Sequence, residues 1–265
     1  MVKNHFKKDL EWNEKANINP LYAIMSTQEF ENAEEKNIST EQVAKFYDAG
    51  KQIWDTNFQP ALNKLSGGKP LAVLEWGCGM GRLLLYAMQE KHLCTGVDIS
   101  SKQLELLKIY FPIPQNPETI LYSPLQPIPL PDESFDFIYS HAVLQHIKSR
   151  QGLVFVIQEM IRLLKKDGIL KIQFRTVNKR QTNNEIIPVY VGTAENRTLI
   201  LYLRKISFFY IPIMRIIKHN HWGGAGCYMP EREYKRIFKR NNIQILSFEY
   251  KTSNDQALVW ITAKK

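Results

Sequence analysis

Ten residues constrain this 265-residue chain more than any others: Val73-Leu74-Glu75-Trp76-Gly77-Cys78-Gly79-Met80-Gly81-Arg82. A short apolar run meets three glycines spaced by two, and a helical pattern follows to Glu90. Glycine tolerates the positive φ of a sharp turn and lets a ligand approach the main chain. A helix start behind the turn adds N–H groups that have no intrahelical partner. Strand, glycine turn and helix in that order open a doubly wound α/β sheet with its ligand at the turn. Asp98 stands 98 − 77 = 21 residues after Gly77, at the end of the next strand-like run, Leu93 to Asp98. A carboxylate there can accept both hydroxyl hydrogens of a ribose. Together the two features predict a nucleoside-bearing cofactor at the carboxyl edge of the sheet. Without a ligand they would be a tight turn and a helix-capping acid.

The remaining pattern is consistent with that sheet. Ser39 and Gln42 form a capping-box pair before an amphipathic helix expected over about 40–56, and a second short helix runs to Leu65. Strands are expected at Leu71–Glu75, Leu93–Asp98, Thr119–Tyr122, Phe135–Ser140 and Ile169–Phe174. Helices are expected at Arg82–Glu90, Ser101–Phe111, from Val143, and at Gly152–Lys166, where Asp167-Gly168 makes a turn. Met229-Pro230-Glu231 starts a further helix with proline in its first turn. Ile243–Tyr250 and Ala257–Ala263 close the chain as a hairpin. The fold class is therefore α/β: Rossmann-like, doubly wound, with a mainly parallel seven-stranded sheet and one antiparallel strand. Residues 1–68 read as an N-terminal helical extension or lid and 69–265 as the main domain. Within it, 176–229 is an insertion after strand five, with one or two amphipathic helices.

Composition excludes several classes. Apolar residues at 44% and charged residues at 23% rule out a disordered chain. Cys78, Cys94 and Cys227 form no C-x-x-C pair, which argues against a disulfide framework and a cysteine zinc site and points to a reducing, cytoplasmic setting. The first ten residues contain no apolar run of a secretory signal, and nothing reaches the ~18 apolar residues of a spanning helix. Charge is unevenly placed. Residues 1–175 hold 20 Lys+Arg and 20 Asp+Glu, so the last 90 hold the rest of the 35 and 26, namely 15 and 6. The whole surplus of +9 thus lies in the last third, either to steer an acidic partner or as a solvated basic surface.

The pattern E-x-G-x-G-x-G, from Glu75 to Gly81, resembles motif I of the class I S-adenosylmethionine-dependent methyltransferases. Three further stretches resemble the same family in order: Leu125 to Asp136 before strand four, Phe135 to His146 across it, and Leu163-Leu164-Lys165-Lys166-Asp167-Gly168 before strand five. They cover roughly 70–175 and are most similar to the UbiE-type, methyltransferase type 11 group. The resemblance implies S-adenosyl-L-methionine as cofactor. Glu75 would lie near its methionine end, Gly77, Cys78, Gly79 and Gly81 beneath it, and Asp98 with Ile99 at its ribose. Ser140, at the end of strand four, falls in the same set. Where the family often has Gly-Asp-Ala after strand three, this chain has Tyr122-Ser123-Pro124, so Ser123 and the backbone of Leu125 are the adenine contacts on offer. Arg82 either reaches the methionine carboxylate or a substrate group, or is a surface helix residue. Its place is that of the third glycine in a dinucleotide fingerprint, which disfavours a nicotinamide dehydrogenase.

Methyl transfer from a sulfonium requires in-line alignment, exclusion of water and, for a hydroxyl or ammonium acceptor, a base. His141, at the end of strand four, is the first choice to face the acceptor; His146 matches a supportive family position. His219 and His221, beside Trp222 in the insertion, either cap the acceptor pocket or are loop residues. No H-E-x-x-H or carboxylate cluster supports a metal site. Trp12, Tyr22, Tyr47 and Trp54 are either a lid over the cofactor or packing anchors. The acceptor is read as a small molecule, apolar or acidic, methylated on O, N or C. Ser140-His141-Ala142 is not the Asn/Asp-Pro-Pro-Tyr/Phe of nucleic-acid amino-methylating enzymes, and no Pro-Cys pair exists. Two alternatives stand beside it: an RNA- or DNA-modifying methyltransferase using the basic last third, and a non-catalytic cofactor-binding partner protein. The apolar and basic residues of 199–218 suit an acceptor cap, an oligomer contact in a monomer-or-homodimer protein, or a peripheral membrane contact.

Overall fold

The structure, a computed structural model, describes residues 6–32, 34–175, 189–191, 198–200, 229–253 and 256–265. Four helices precede the sheet: α1 (Phe6–Ile18), α2 (Pro20–Met25), α3 (Thr40–Ile53) and α4 (Gln59–Ser66), the last two joined by a π-helical turn, Trp54–Phe58. Then come β1 (Ala72–Trp76), α5 (Leu84–Gln89), β2 (Leu93–Asp98), α6 (Ser101–Tyr110), β3 (Glu118–Leu121) and β4 (Phe135–Ser140). They are followed by α7 (Arg150–Leu163), β5 (Leu164–Arg175), a short pair β6 (Val189–Val191) and β7 (Thr198–Ile200), α8 (Glu231–Arg240), β8 (Gln244–Ser253) and β9 (Gln256–Lys264).

The seven-stranded sheet runs β3-β2-β1-β4-β5-β9-β8. Every pairing from β3 to β5 is parallel, and β9 lies antiparallel between β5 and β8. The expected class and its one reversed strand are both present. Strand side chains alternate between two cores, as a period of two requires. Val73, Phe137 and Tyr139 face one layer, with Phe46, Trp54, Phe58 and Leu62 from the N-terminal helices. Leu74, Ile138 and Ile172 face the other, with Val156 and Met160 of α7 and Tyr234 and Phe238 of α8. Much of 1–68 is thus core. Tyr47 and Trp54 are buried there, and the Ser39–Gln42 capping box is formed in both directions.

Three local expectations shift. The helix expected to run to Lys166 ends at Leu163, because Leu164 already pairs with Phe135 of β4. The register of that pair slips before Phe137, and Asp167 takes up a φ of 66°. The helix expected from Val143 is a single 3-10 turn, Leu144–His146, which stops where Ser149 caps α7. Pro230 is the N-cap of α8 rather than its first residue. The insertion, read as helical from Leu199, carries the antiparallel pair β6–β7 at Val189–Val191 and Thr198–Ile200. The rest of 176–228 lies outside the described residues, with His219, His221, Trp222 and Cys227.

Candidate functional site

The strand order diverges on either side of β1, so helices leave the carboxyl ends of β1 and β4 toward opposite faces and open a crevice between them. A cavity of about 1500 Å³, mouth included, occupies that crevice. Its floor is the glycine turn. The Gly77 and Cys78 N–H groups both donate to the Val97 carbonyl of β2, at 2.6 and 3.1 Å, and Gly81 N–H donates back to Cys78 at 2.8 Å. From α3 the Tyr47 hydroxyl donates to the Met80 carbonyl at 2.7 Å, pinning the turn from below. Gly77 has a φ of 79°, and a Cβ there would stand 2.3 Å from Cγ2 of Val143. Gly77→Ala should therefore combine a left-handed backbone with a clash and destabilise the fold by about 2–5 kcal/mol. A melting temperature within 2 °C of the parent would refute that packing.

Two acids line the same cavity. Asp98 accepts the Gly79 N–H at Oδ2 and the Ser100 N–H at Oδ1, both at 2.8 Å, so β2, the glycine turn and the start of α6 are tied through one carboxylate. Burial raises its pKa, and those N–H groups oppose the rise. Glu75 is 4% exposed. Burial pushes its pKa up to about 8, against the Tyr139 hydroxyl, which donates to Oε2 at 3.1 Å, and the nearby Arg82 charge.

A family model described as a methyltransferase domain matches residues 74–172, from the glycine turn through β5. Residues 74–172 therefore carry a methyltransferase domain. The chain is also similar in fold to solved structures. A protein from Pyrococcus horikoshii OT3 is 16% identical, with a TM-score of 0.56, over 95% of this chain and 98% of that one. A SAM-dependent methyltransferase from Methanosarcina mazei is 18% identical, with a TM-score of 0.55, over 79% and 98%. Magnesium protoporphyrin IX methyltransferase from Synechocystis PCC 6803, solved with bound SAM, is 12% identical, with a TM-score of 0.55, over 97% and 96%. No curated protein sequence matches the chain.

The residues of the methyltransferase fit such a cofactor. Two buried polar atoms of cavity-lining side chains have no hydrogen-bond partner: Nε of Arg82 and Oε1 of Gln103. One is a donor and the other an acceptor, which suits a ligand offering both, as an adenosyl group joined to an amino acid does. Arg82 is 8% exposed, not a surface residue. Its Nη1 donates weakly to the Ala49 carbonyl at 3.4 Å, and its guanidinium lies 5.9 Å from the Phe46 ring. Gly50 allows this approach: a Cβ there would meet Arg82 backbone and side-chain atoms at 2.8–2.9 Å. Gln103 donates through Nε2 to the Pro20 carbonyl at 3.2 Å, which leaves its oxygen for the cavity.

Of the residues the sequence singled out, Glu75, Gly77, Cys78, Gly79, Arg82, Asp98, Ile99, Leu125, His141 and His146 all line the cavity. Gly81, Ser123 and Ser140 do not. Gly81 lets α6 pack closely, since a Cβ there would meet Leu107 at 2.9 Å. Ser140 is fully buried and donates to the Trp76 carbonyl at 2.9 Å, joining β4 to β1. Ser123 stands beside the lining residues Tyr122 and Pro124. Leu125 has a φ of 61°, which turns the chain after β3 back over the crevice.

The histidines sit differently from one another. His141 stacks on Trp260 at 5.5 Å and meets the edge of Phe58 at 6.4 Å. His146 meets Trp12 edge-on at 5.5 Å. Sequence reasoning missed most of what α1 and α2 bring: Glu11, Trp12, Lys15, Ala23 and Ile24 form one wall. Asn13 fixes that wall by accepting from Ser100 Oγ at 2.7 Å and from the Lys102 N–H at 3.1 Å, and Glu11 binds Lys148 at 2.6 Å. No local signal marks Asn13. Gln103 had one, because it falls on the face of α6 that carries buried Leu107. Among the described residues, no group of three or more His, Cys, Asp and Glu side chains is placed to hold a metal ion.

Proposed function

We propose that the methyltransferase moves the methyl group of S-adenosylmethionine to an oxygen or nitrogen atom, or a carbon, of a small-molecule acceptor in the cytoplasm. The observation that carries this reading is the continuity of one cavity. Its lining combines the polar residues Glu75, Gly79, Arg82, Asp98 and Gln103 with the rings of Trp12, His141 and His146. The first suits the cofactor, and the second suits an acceptor with an apolar face. The cofactor supplies a methyl group already activated on a sulfonium. The protein's part is to align the acceptor with it and to keep water out, to which Trp12 of α1 contributes as a lining residue. His141 is the proposed base, since its ring is held at a fixed angle by Trp260 at the mouth of β4. The buried free thiols of Cys78 and Cys94 fit a reducing compartment.

Calorimetric titration with S-adenosylhomocysteine, beside NAD, tests the cofactor. Micromolar binding of the first and none of the second is expected; a folded protein that binds neither overturns the proposal. Transfer of labelled methyl into a metabolite extract tests the acceptor class, and His141→Gln should reduce it at least tenfold while S-adenosylhomocysteine still binds.

A further inference from the structure

Helix α8 is divided lengthwise. Tyr234, Ile237 and Phe238 are buried, while Arg232, Arg236 and Arg240 are exposed and recur every four residues. At 1.5 Å per residue they form a row with steps of about 6 Å and a span of about 12 Å. This row is one wall of a groove. The other wall is α7, which presents Arg150, Val154 and Gln158, also four apart. The two helix starts lie side by side, since Arg150 at the start of α7 pairs with Glu233 at the start of α8, its Nη2 2.5 Å from Oε2. Among the described residues, Glu233 is the only acid lining the groove, and Arg150 engages it. Arg232, Arg236 and Arg240 have no carboxylate partner among the described residues. Like charges four apart on a helix repel one another, so the row costs the fold stability unless an anion lies along it.

The groove and the cavity are both lined by residues at the start of α7. Ser149 and Gly152 line the cavity, and Arg150 between them lines the groove. We infer that the groove binds the oligophosphate portion of the acceptor while the atom to be methylated lies in the cavity. Guanidinium groups match phosphate oxygens in paired, planar hydrogen bonds, and the amides of Gln158 and Asn241 add further donors. The site is a groove between two helices, which suits a short chain of phosphates better than the plane of a membrane. Its row of three arginines is short for a nucleic-acid track, which gains affinity by neutralising many phosphates in succession. The inference rests on the methyltransferase reading, because it takes the cavity as the place where this molecule is methylated.

The test begins with calorimetry on protein saturated with S-adenosylhomocysteine and titrated with inorganic tripolyphosphate. Binding that weakens with salt is expected, and the triple variant R232Q/R236Q/R240Q should lose at least tenfold in affinity. These side chains are exposed, and a melting curve checks that the variant folds. A milder R236Q should lie between the two. Wild-type protein that binds S-adenosylhomocysteine but not tripolyphosphate overturns this inference and leaves the methyltransferase standing. A folded wild type that binds no S-adenosylhomocysteine overturns the methyltransferase instead. Tripolyphosphate binding that survives the triple substitution also overturns the assignment, as does tighter arginine-dependent binding to a single-stranded oligonucleotide or to anionic vesicles. Finally, labelled-methyl transfer into a metabolite extract should be lost when the extract is first treated with phosphatase. Undiminished transfer refutes a phosphate-bearing acceptor.

Discussion

Asp98→Ala should raise the dissociation constant for S-adenosylhomocysteine by at least about 100-fold. The proposed role of this carboxylate is to accept two ribose hydroxyls, and hydrogen bonds to a charged group contribute about 1.5–3 kcal/mol each. Two at the lower value make about 3 kcal/mol, or about two powers of ten in affinity. The structure adds a second loss. Asp98 is also the acceptor for the Gly79 and Ser100 N–H groups, so its removal frees the glycine turn from the start of α6. Asp98→Asn keeps one carbonyl oxygen and should fall between the two. Calorimetry measures all three proteins, and a melting curve separates lost binding from lost folding. A folded Asp98→Ala protein within fivefold of the parent would remove Asp98 from the cofactor site.

The second large effect concerns Glu75 and pH. Its pKa in the folded protein is about 8, against an ordinary value of 4.5. A raised pKa means that the folded state holds a proton the unfolded chain has already released. This contribution to stability is complete below pH 4.5 and is lost as pH rises toward 8 and beyond. The interval corresponds to up to about 5 kcal/mol, at about 1.4 kcal/mol per pH unit. Glu75→Gln keeps an oxygen for the Tyr139 hydroxyl and cannot ionise. Without ligand, the variant should melt within 2 °C of the parent at pH 5 and about 10 °C above it at pH 9. Equal melting at pH 9 would show that Glu75 is not desolvated. The cofactor reverses the balance. An ammonium group beside the carboxyl favours its charged form, so binding of S-adenosylhomocysteine at pH 7 should release close to one proton. Titration in two buffers of different ionisation enthalpy measures that release, which should disappear in Glu75→Gln.

The same acid shows what was legible beforehand. Glu75 was marked by its place two residues before Gly77, but its elevated pKa was not, because that comes from full burial in the folded chain, which outweighs the opposing effects of Tyr139 and Arg82. Arg82 was undecided between a site and a surface role. Only the fold shows that it is buried at the cavity, where Gly50 of α3 admits it beneath the helix. Ser140 was placed by its position at the end of β4, but only the fold shows that its hydroxyl is buried and donates to the Trp76 carbonyl of the neighbouring strand.

By itself the sequence determined what short-range physics controls. The glycine turn, the Ser39–Gln42 capping box, the alternation of strands with amphipathic helices and the acid at the end of β2 all rest on spacings of a few residues, or of one strand and helix. A mainly parallel sheet followed from them, because strands that alternate with helices are joined by right-handed crossovers. Only the tertiary structure decided who meets across the chain. Asn13 reaches Ser100, 87 residues away, and Tyr47 reaches Met80, 33 away. Such pairs leave no periodicity to read. They form only after helix and sheet faces have been buried, when each remaining polar group must find a partner in whatever element the fold has brought beside it.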